Sequence, residues 1–152
     1  MRVVIQRVTS ARVTVENAAV GEIERGYVLL IGVARGDDQA DVDTVVRKIC
    51  EMRLFPDDTG RMNLSIEEVG GAVLVVSQFT LLAETRRGRR PSYTDAADPT
   101  VAQPLVEAVC SGLVARGLAV ERGVFGAHMQ VSFVNDGPVT IVLDVRDGQV
   151  AQ

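Results

Sequence analysis

Met1-Arg2-Val3-Val4-Ile5-Gln6-Arg7-Val8 reads as a strand dominated by apolar residues, and the segments after it set the fold class. Ala11, Val13 and Val15 alternate with Arg12, Thr14 and Glu16, the two-residue period of a half-exposed strand. Residues 20–23 and 27–33 form two more strands, the second a continuous apolar run, so the opening predicts an antiparallel meander. Further along, Asp37 or Asp38 stands where a helix N-cap belongs. Val42, Val45, Val46 and Ile49 then share one face of a helix running to about Met52. Residues 56–60, Pro-Asp-Asp-Thr-Gly, are a turn, and 72–76 are a short buried strand after Gly70-Gly71. A loop spans 83–98. The second helix begins at Asp98-Pro99 and turns Leu105, Val106, Val109 and Leu113 to the core; Pro104 either kinks it or marks its true start. Strands at 118–121, 129–134 and 139–145 complete the chain. The expectation is an α+β fold: one strand-rich domain over residues 1–152, a curved antiparallel sheet or open barrel with two helices packed on it.

Composition narrows the function. The chain has 152 residues, 47% hydrophobic and 24% charged, as expected of a folded soluble domain. The longest apolar run, residues 27–34, falls far short of the roughly 18 residues of a membrane span. The N-terminus turns charged too early for a signal peptide, so a cytoplasmic location and no membrane partner are expected. Cys50 and Cys110 each fall in a helix-like segment and read as buried free thiols. A net charge of −4 confines any contact with nucleic acid to a local patch. The single histidine, His128, lacks a GxSxG partner segment and reads as a structural or surface residue. Two separated cysteines and one histidine do not make a zinc site, and neither a phosphate loop nor a GxGxxG fingerprint occurs. No metal and no cofactor are expected. Catalysis, if any, falls to backbone amides, hydroxyls, or groups on the substrate.

Two segments supply such groups. Ser77-Gln78-Phe79-Thr80-Leu81 comes directly after the buried strand 72–76, where a rigid core holds polar residues in place. Main-chain N–H groups at such a turn suit a developing oxyanion, although Ser and Thr at a strand end also satisfy their own backbone. Asn135-Asp136-Gly137-Pro138-Val139-Thr140 reads locally as a corner between two strands. Its Gly-Pro bond carries the low cis penalty peculiar to proline, and a cis bond there would aim two successive carbonyls as a steric gate.

Together these segments resemble the D-aminoacyl-tRNA deacylases, a family with an SQFTL and an NxGPxT segment, both complete here at 77–81 and 135–140. Supporting blocks keep the family's order and spacing: residues 1–8, Met62-Asn63-Leu64-Ser65, Arg89-Arg90-Pro91-Ser92-Tyr93-Thr94-Asp95, and Gly123-Val124-Phe125-Gly126-Ala127. The likeness runs from residue 1 to about 145.

That resemblance implies hydrolysis of the ester joining a D-amino acid to the 3′ acceptor end of tRNA, a proofreading step that also admits glycyl-tRNA. It implies a homodimer with active sites at the subunit interface. Ser77, Gln78, Phe79 and Thr80 would be the catalytic residues. Gly137 and Pro138 would reach into the partner's pocket as the chirality gate, supported by Arg7, Asn135 and Thr140. Arg86, Arg87, Arg89 and Arg90 would contact the tRNA phosphates. Thr80 is a candidate nucleophile, but no base stands beside it in sequence; a water assisted by the terminal 2′-hydroxyl is the preferred attacking group. A small-molecule esterase using the same pocket, and a non-catalytic binding module, are the competing classes.

Overall fold

The computed structural model describes residues 1–86 and 88–151. In chain order it comprises β1 (Arg2–Val15), β2 (Ala18–Ile23), β3 (Gly26–Gly32), α1 (Gln39–Glu51), β4 (Phe55–Pro56), β5 (Met62–Leu64) and β6 (Ala72–Ser77). Then come a 3-10 turn (Phe79–Leu82), α2 (Pro99–Ala115), β7 (Ala119–Arg122), β8 (Gln130–Arg146) and β9 (Gln149–Val150).

The main sheet runs β7-β6-β3-β1-β8-β9, with β2 also paired to β1. It is mixed rather than antiparallel: β3 pairs β6, and β6 pairs β7, in parallel. The cause lies in the two helices. Each is a crossover that returns the chain to the same end of the sheet before the next strand begins. The opening is not a simple meander either. β1 is one continuous strand, its first half paired to β3 and its second half to β2.

The continuous apolar runs are buried on both sides. Tyr27, Leu29, Ile31, Val73 and Val75 face the helices, meeting Val45, Ile49, Val109 and Leu113. Val28, Leu74 and Val76 face the other way, against Val8, Ala11, Val13 and Ile23, where β1 and β2 curl over the sheet into a half-barrel. Each such side chain, fully buried, contributes about 1.5–3 kcal/mol, which is why these runs show no polar alternation.

The helices form as their sequence suggests. Asp38 caps α1, its side chain accepting from Ala40 N at 2.9 Å while Asp41 accepts from Asp38 N at 3.0 Å. Val42, Val45, Val46 and Ile49 are all buried. α2 begins at Pro99 and continues through Pro104. That proline is exposed and early in the helix, so it deletes a single second-turn hydrogen bond while Val109, Cys110 and Leu113 anchor the rest. The small β4–β5 hairpin, with Phe55 wholly buried, replaces what reads locally as a turn alone.

The largest departure is β8. Asn-Asp-Gly-Pro is not a corner: strand 130–146 stays beside β1 throughout. Thr140 pairs with Gln6 and Asn135 with Val8, so residues 136–139 bulge opposite the single residue Arg7. A bulge leaves the extra residues unpaired and re-aims them.

Candidate functional site

β6 delivers the first segment. Ser77, its last residue, lies beside Ile31, and Gln78 N donates to Ile31 O at 2.7 Å. The chain then tightens into the 3-10 turn, closed by Leu81 N to Gln78 O at 3.2 Å and Ala83 N to Thr80 O at 3.1 Å. The amides of Phe79 and Thr80 are the first two of that turn and have no partner within it. The Gln78 side-chain amide donates to the Thr80 hydroxyl, which fixes both groups relative to the turn.

The turn opens onto a cavity of about 570 Å³ lined by Ser77, Gln78, Phe79, Tyr93, Phe125 and His128, among others. Phe79 and Tyr93, both solvent-exposed, meet edge to face at 5.0 Å across its mouth. Nothing in the sequence marks Tyr93 as a site residue beyond its place in the block 89–95. His128 is exposed at the rim. Among the described residues no cluster of three or more His, Cys, Asp or Glu side chains is arranged to hold a metal ion.

The second segment is held from both faces of β1, because consecutive strand residues point opposite ways. On one face, Gln6 Oε1 accepts from Thr140 Oγ1 at 2.6 Å and from the Asn135 side-chain amide. Asn135 also grips the bulge itself, accepting from Val139 N at 2.7 Å and donating to Val139 O at 3.2 Å. On the other face, the buried Arg7 donates from Nε to Asp136 O at 3.0 Å and from a terminal nitrogen to Leu54 O at 2.5 Å. Gly137-Pro138 is cis, with Gly137 at φ +140°, a region L side chains rarely adopt. A Cβ there would also meet Val139 N at 2.9 Å and an Arg7 nitrogen at 3.2 Å. Gly137 and Pro138 are exposed and do not line the cavity at 77–80, so within one chain the two segments stand apart. Gln6 and Leu54 carry no sequence signal: neither residue type announces a role, and both act only through a partner distant in sequence.

The arginine loop divides. Arg86 is engaged by Glu84, which accepts from Arg86 N and from Arg86 Nε, each at 2.7 Å. The Arg86 side-chain hydrogen bond, helped by its backbone amide, holds the Glu84 carboxyl at about 2. Arg89 and Arg90 are exposed and form no ion pair among the described residues. Arg87 lies outside the described residues. Cys50 and Cys110 are buried free thiols, as expected.

Residues 4–144 match the family model described as D-Tyr-tRNA(Tyr) deacylase. The chain is 56% identical over 144 residues to a D-aminoacyl-tRNA deacylase of Roseiflexus castenholzii, covering 95% of this chain and 92% of the relative. It is 55% identical over 146 residues to one of Anaeromyxobacter dehalogenans, covering 96% and 98%. Among solved structures, a chain titled c-Myc DNA Unwinding Element Binding Protein superposes with a TM-score of 0.90 at 36% identity, covering 96% of this chain and 99% of that one. A chain titled as a probable eukaryotic D-amino acid tRNA deacylase superposes with a TM-score of 0.79 at 20% identity, covering 95% and 98%, a likeness of fold.

Proposed function

This chain belongs to the D-Tyr-tRNA(Tyr) deacylase family and hydrolyses D-aminoacyl-tRNA; we propose that it does so as a stereochemical editor, with chemistry at 77–80 and exclusion at Gly137-Pro138. One observation carries the reading: the amides of Phe79 and Thr80 open the 3-10 turn with no backbone partner among the described residues, and Phe79 lines a cavity large enough for an aminoacylated nucleoside.

The substrate ester is already reactive, so positioning and charge stabilisation suffice for catalysis. The terminal adenosine with its amino acid enters the cavity between the Phe79–Tyr93 mouth and Ser77-Gln78. Water attacks the ester carbonyl carbon, assisted by the 2′-hydroxyl of the terminal ribose. The Phe79 and Thr80 amides receive the oxyanion; losing one such donor typically costs about 3–4 kcal/mol of transition-state stabilisation. Collapse of the intermediate breaks the bond to the 3′ oxygen, which leaves with a proton as free tRNA hydroxyl beside the free amino acid. Thr80 Oγ1, already accepting from Gln78, has no general base beside it and serves as a polar wall rather than the nucleophile.

Discrimination comes from the bulge of β8. Its Gly137-Pro138 tip is exposed, does not line its own chain's cavity, and complements the partner's in a homodimer, so each active site lies at the subunit interface. Exposed Phe133 and Val142 on β8 offer apolar surface for such a contact. Carbonyls at the tip reject the side chain of an L-residue; a D-residue points its side chain outward, and glycine, with none, passes too. A repulsive wall separates enantiomers better than an added attraction. Arg86, Arg87, Arg89 and Arg90 contact the acceptor-end phosphates. A cytoplasmic location suits this substrate.

The first test is ester loss from D-tyrosyl-tRNA and L-tyrosyl-tRNA in parallel. The reading expects rapid loss of the D-form alone. A Thr80→Ala variant is expected to keep most of its turnover; near-complete loss would instead make Thr80 the nucleophile.

A further inference from the structure

The turn that carries Phe79 and Thr80 packs closely against the sheet. It lies directly on the backbone of β3 at Gly32. A Cβ at Gly32 would come 3.0 Å from Gln78 O, 3.2 Å from Leu81 Cβ and 3.4 Å from Leu82 Cγ, so a larger residue would push the turn away by a few tenths of an ångström.

Across the sheet, Gly32 pairs with Arg2, and Arg2 pairs with Asp144, placing the three residues in one row on β3, β1 and β8. The Arg2 guanidinium is gripped by Asp144 through Nε at 2.6 Å and a terminal nitrogen at 2.9 Å. Its remaining terminal nitrogen donates to Leu81 O at 3.2 Å. A bidentate carboxylate fixes the plane of a guanidinium, so the third arm is aimed rather than free. That arm holds one of the last carbonyls of the turn, a group with no partner inside it.

We propose that Gly32, Arg2 and Asp144 are positioning residues for the catalytic turn, setting where the Phe79 and Thr80 amides point without touching substrate. The inference rests on the assignment of catalysis to residues 77–80. Exposure separates this role from a structural one. The Arg2 and Asp144 side chains are 39% and 32% exposed, and pairs of that kind add little to global stability. An oxyanion hole, by contrast, is sensitive to displacements of a fraction of an ångström, because donors must meet the charge as it develops.

The experiment measures kcat and KM for D-tyrosyl-tRNA, together with thermal midpoints, for Arg2→Gln, Arg2→Lys, Gly32→Ala and Gln78→Ala. Arg2→Gln and Gly32→Ala are expected to lower kcat by about tenfold or more, with KM changed by less than about twofold. Arg2→Lys, which keeps the charge but cannot bridge Asp144 and Leu81 at once, should recover part of the loss. Wild-type kcat in Arg2→Gln, a change confined to KM, or a kcat loss that merely tracks unfolding overturns the proposal. Gln78→Ala separates the two levels. If Gln78→Ala and Arg2→Gln both leave kcat intact, the placement of the turn does not govern turnover, and the positioning role falls together with the assignment of catalysis to residues 77–80. If Gln78→Ala lowers kcat while Arg2→Gln does not, the turn stands and only the positioning role is overturned.

Discussion

Arg7 and Asp136 are joined twice, by a 3.0 Å hydrogen bond from Arg7 Nε to the Asp136 carbonyl and by a 3.3 Å approach to the Asp136 carboxylate. The same guanidinium reaches back to Leu54 O, so it spans from the β4–β5 hairpin to the base of the Gly137-Pro138 tip. Arg7 is therefore a strut: the tip can shift only if that guanidinium moves.

Arg7→Lys should relax chirality more than it harms folding, because a single ammonium cannot replace a fork that holds two carbonyls. The expected outcome is measurable hydrolysis of L-tyrosyl-tRNA and a slower D-reaction, read as a fall in the ratio of the two kcat/KM values. An unchanged ratio would remove Arg7 from the gate. Arg7→Ala should in addition cost about 2–4 kcal/mol in urea unfolding, since it abandons buried, charge-assisted hydrogen bonds.

Tyr27 offers the opposite expectation. Its ring is fully buried and stacked on Phe55 at 5.1 Å, yet its hydroxyl has no hydrogen-bond partner among the described residues. Tyr27→Phe keeps the stack and deletes the stranded polar atom, so stability should hold or rise by about 1 kcal/mol. A clear fall in the unfolding midpoint would refute this account of the hydroxyl.

Salt dependence should distinguish the arginines of the loop. Arg86 is committed to Glu84, whereas Arg89 and Arg90 form no ion pair among the described residues. Substituting Arg89 and Arg90 by Gln should flatten the slope of log affinity for tRNA against log salt by up to about one per lost phosphate contact. Arg86→Gln should flatten it less. Equal slopes in all variants and wild type would place phosphate recognition elsewhere.

Alkali should weaken the fold. Burial, the dominant influence, pushes the Cys50 thiol up to about 11 from 9.0. Burial likewise raises the Tyr27 phenol. For Cys50 the folded state then keeps a proton that the unfolded state has released, so stability falls with rising pH across that interval. Unfolding free energy should be level to about pH 8.5 and then decline toward pH 11. Native protein at pH 8 should alkylate slowly at Cys50 and quickly in denaturant; fast native alkylation would contradict the burial.

Some of this is legible without a structure. Asp38 followed by Val42, Val45, Val46 and Ile49 specifies a capped amphipathic helix from neighbours within two turns, and the apolar run 72–76 ending in Ser-Gln specifies a buried strand with polar groups at its mouth. The segments 77–81 and 135–140 mark themselves by motif. The partners of those strands do not. Any strand offers the same backbone donors and acceptors, so the choice between antiparallel and parallel neighbours for β3 and β6 depends on where α1 and α2 return the chain.

The sequence by itself determined the local periods, the helix cap, the continuous runs that must be buried on both sides, and the two motifs with their family. Tertiary structure alone decided that 135–140 is a bulge within one strand rather than a corner, and that Gln6 and Arg7 clamp it from opposite faces. It alone brought the 3-10 turn at 79–82 against Gly32 and within reach of Arg2. The physical reason is the same in each case: these contacts join residues tens of positions apart, and a glycine, glutamine or arginine carries no local mark of the partner it will meet. Periodicity records which face is buried; only the closed sheet records what lies against it.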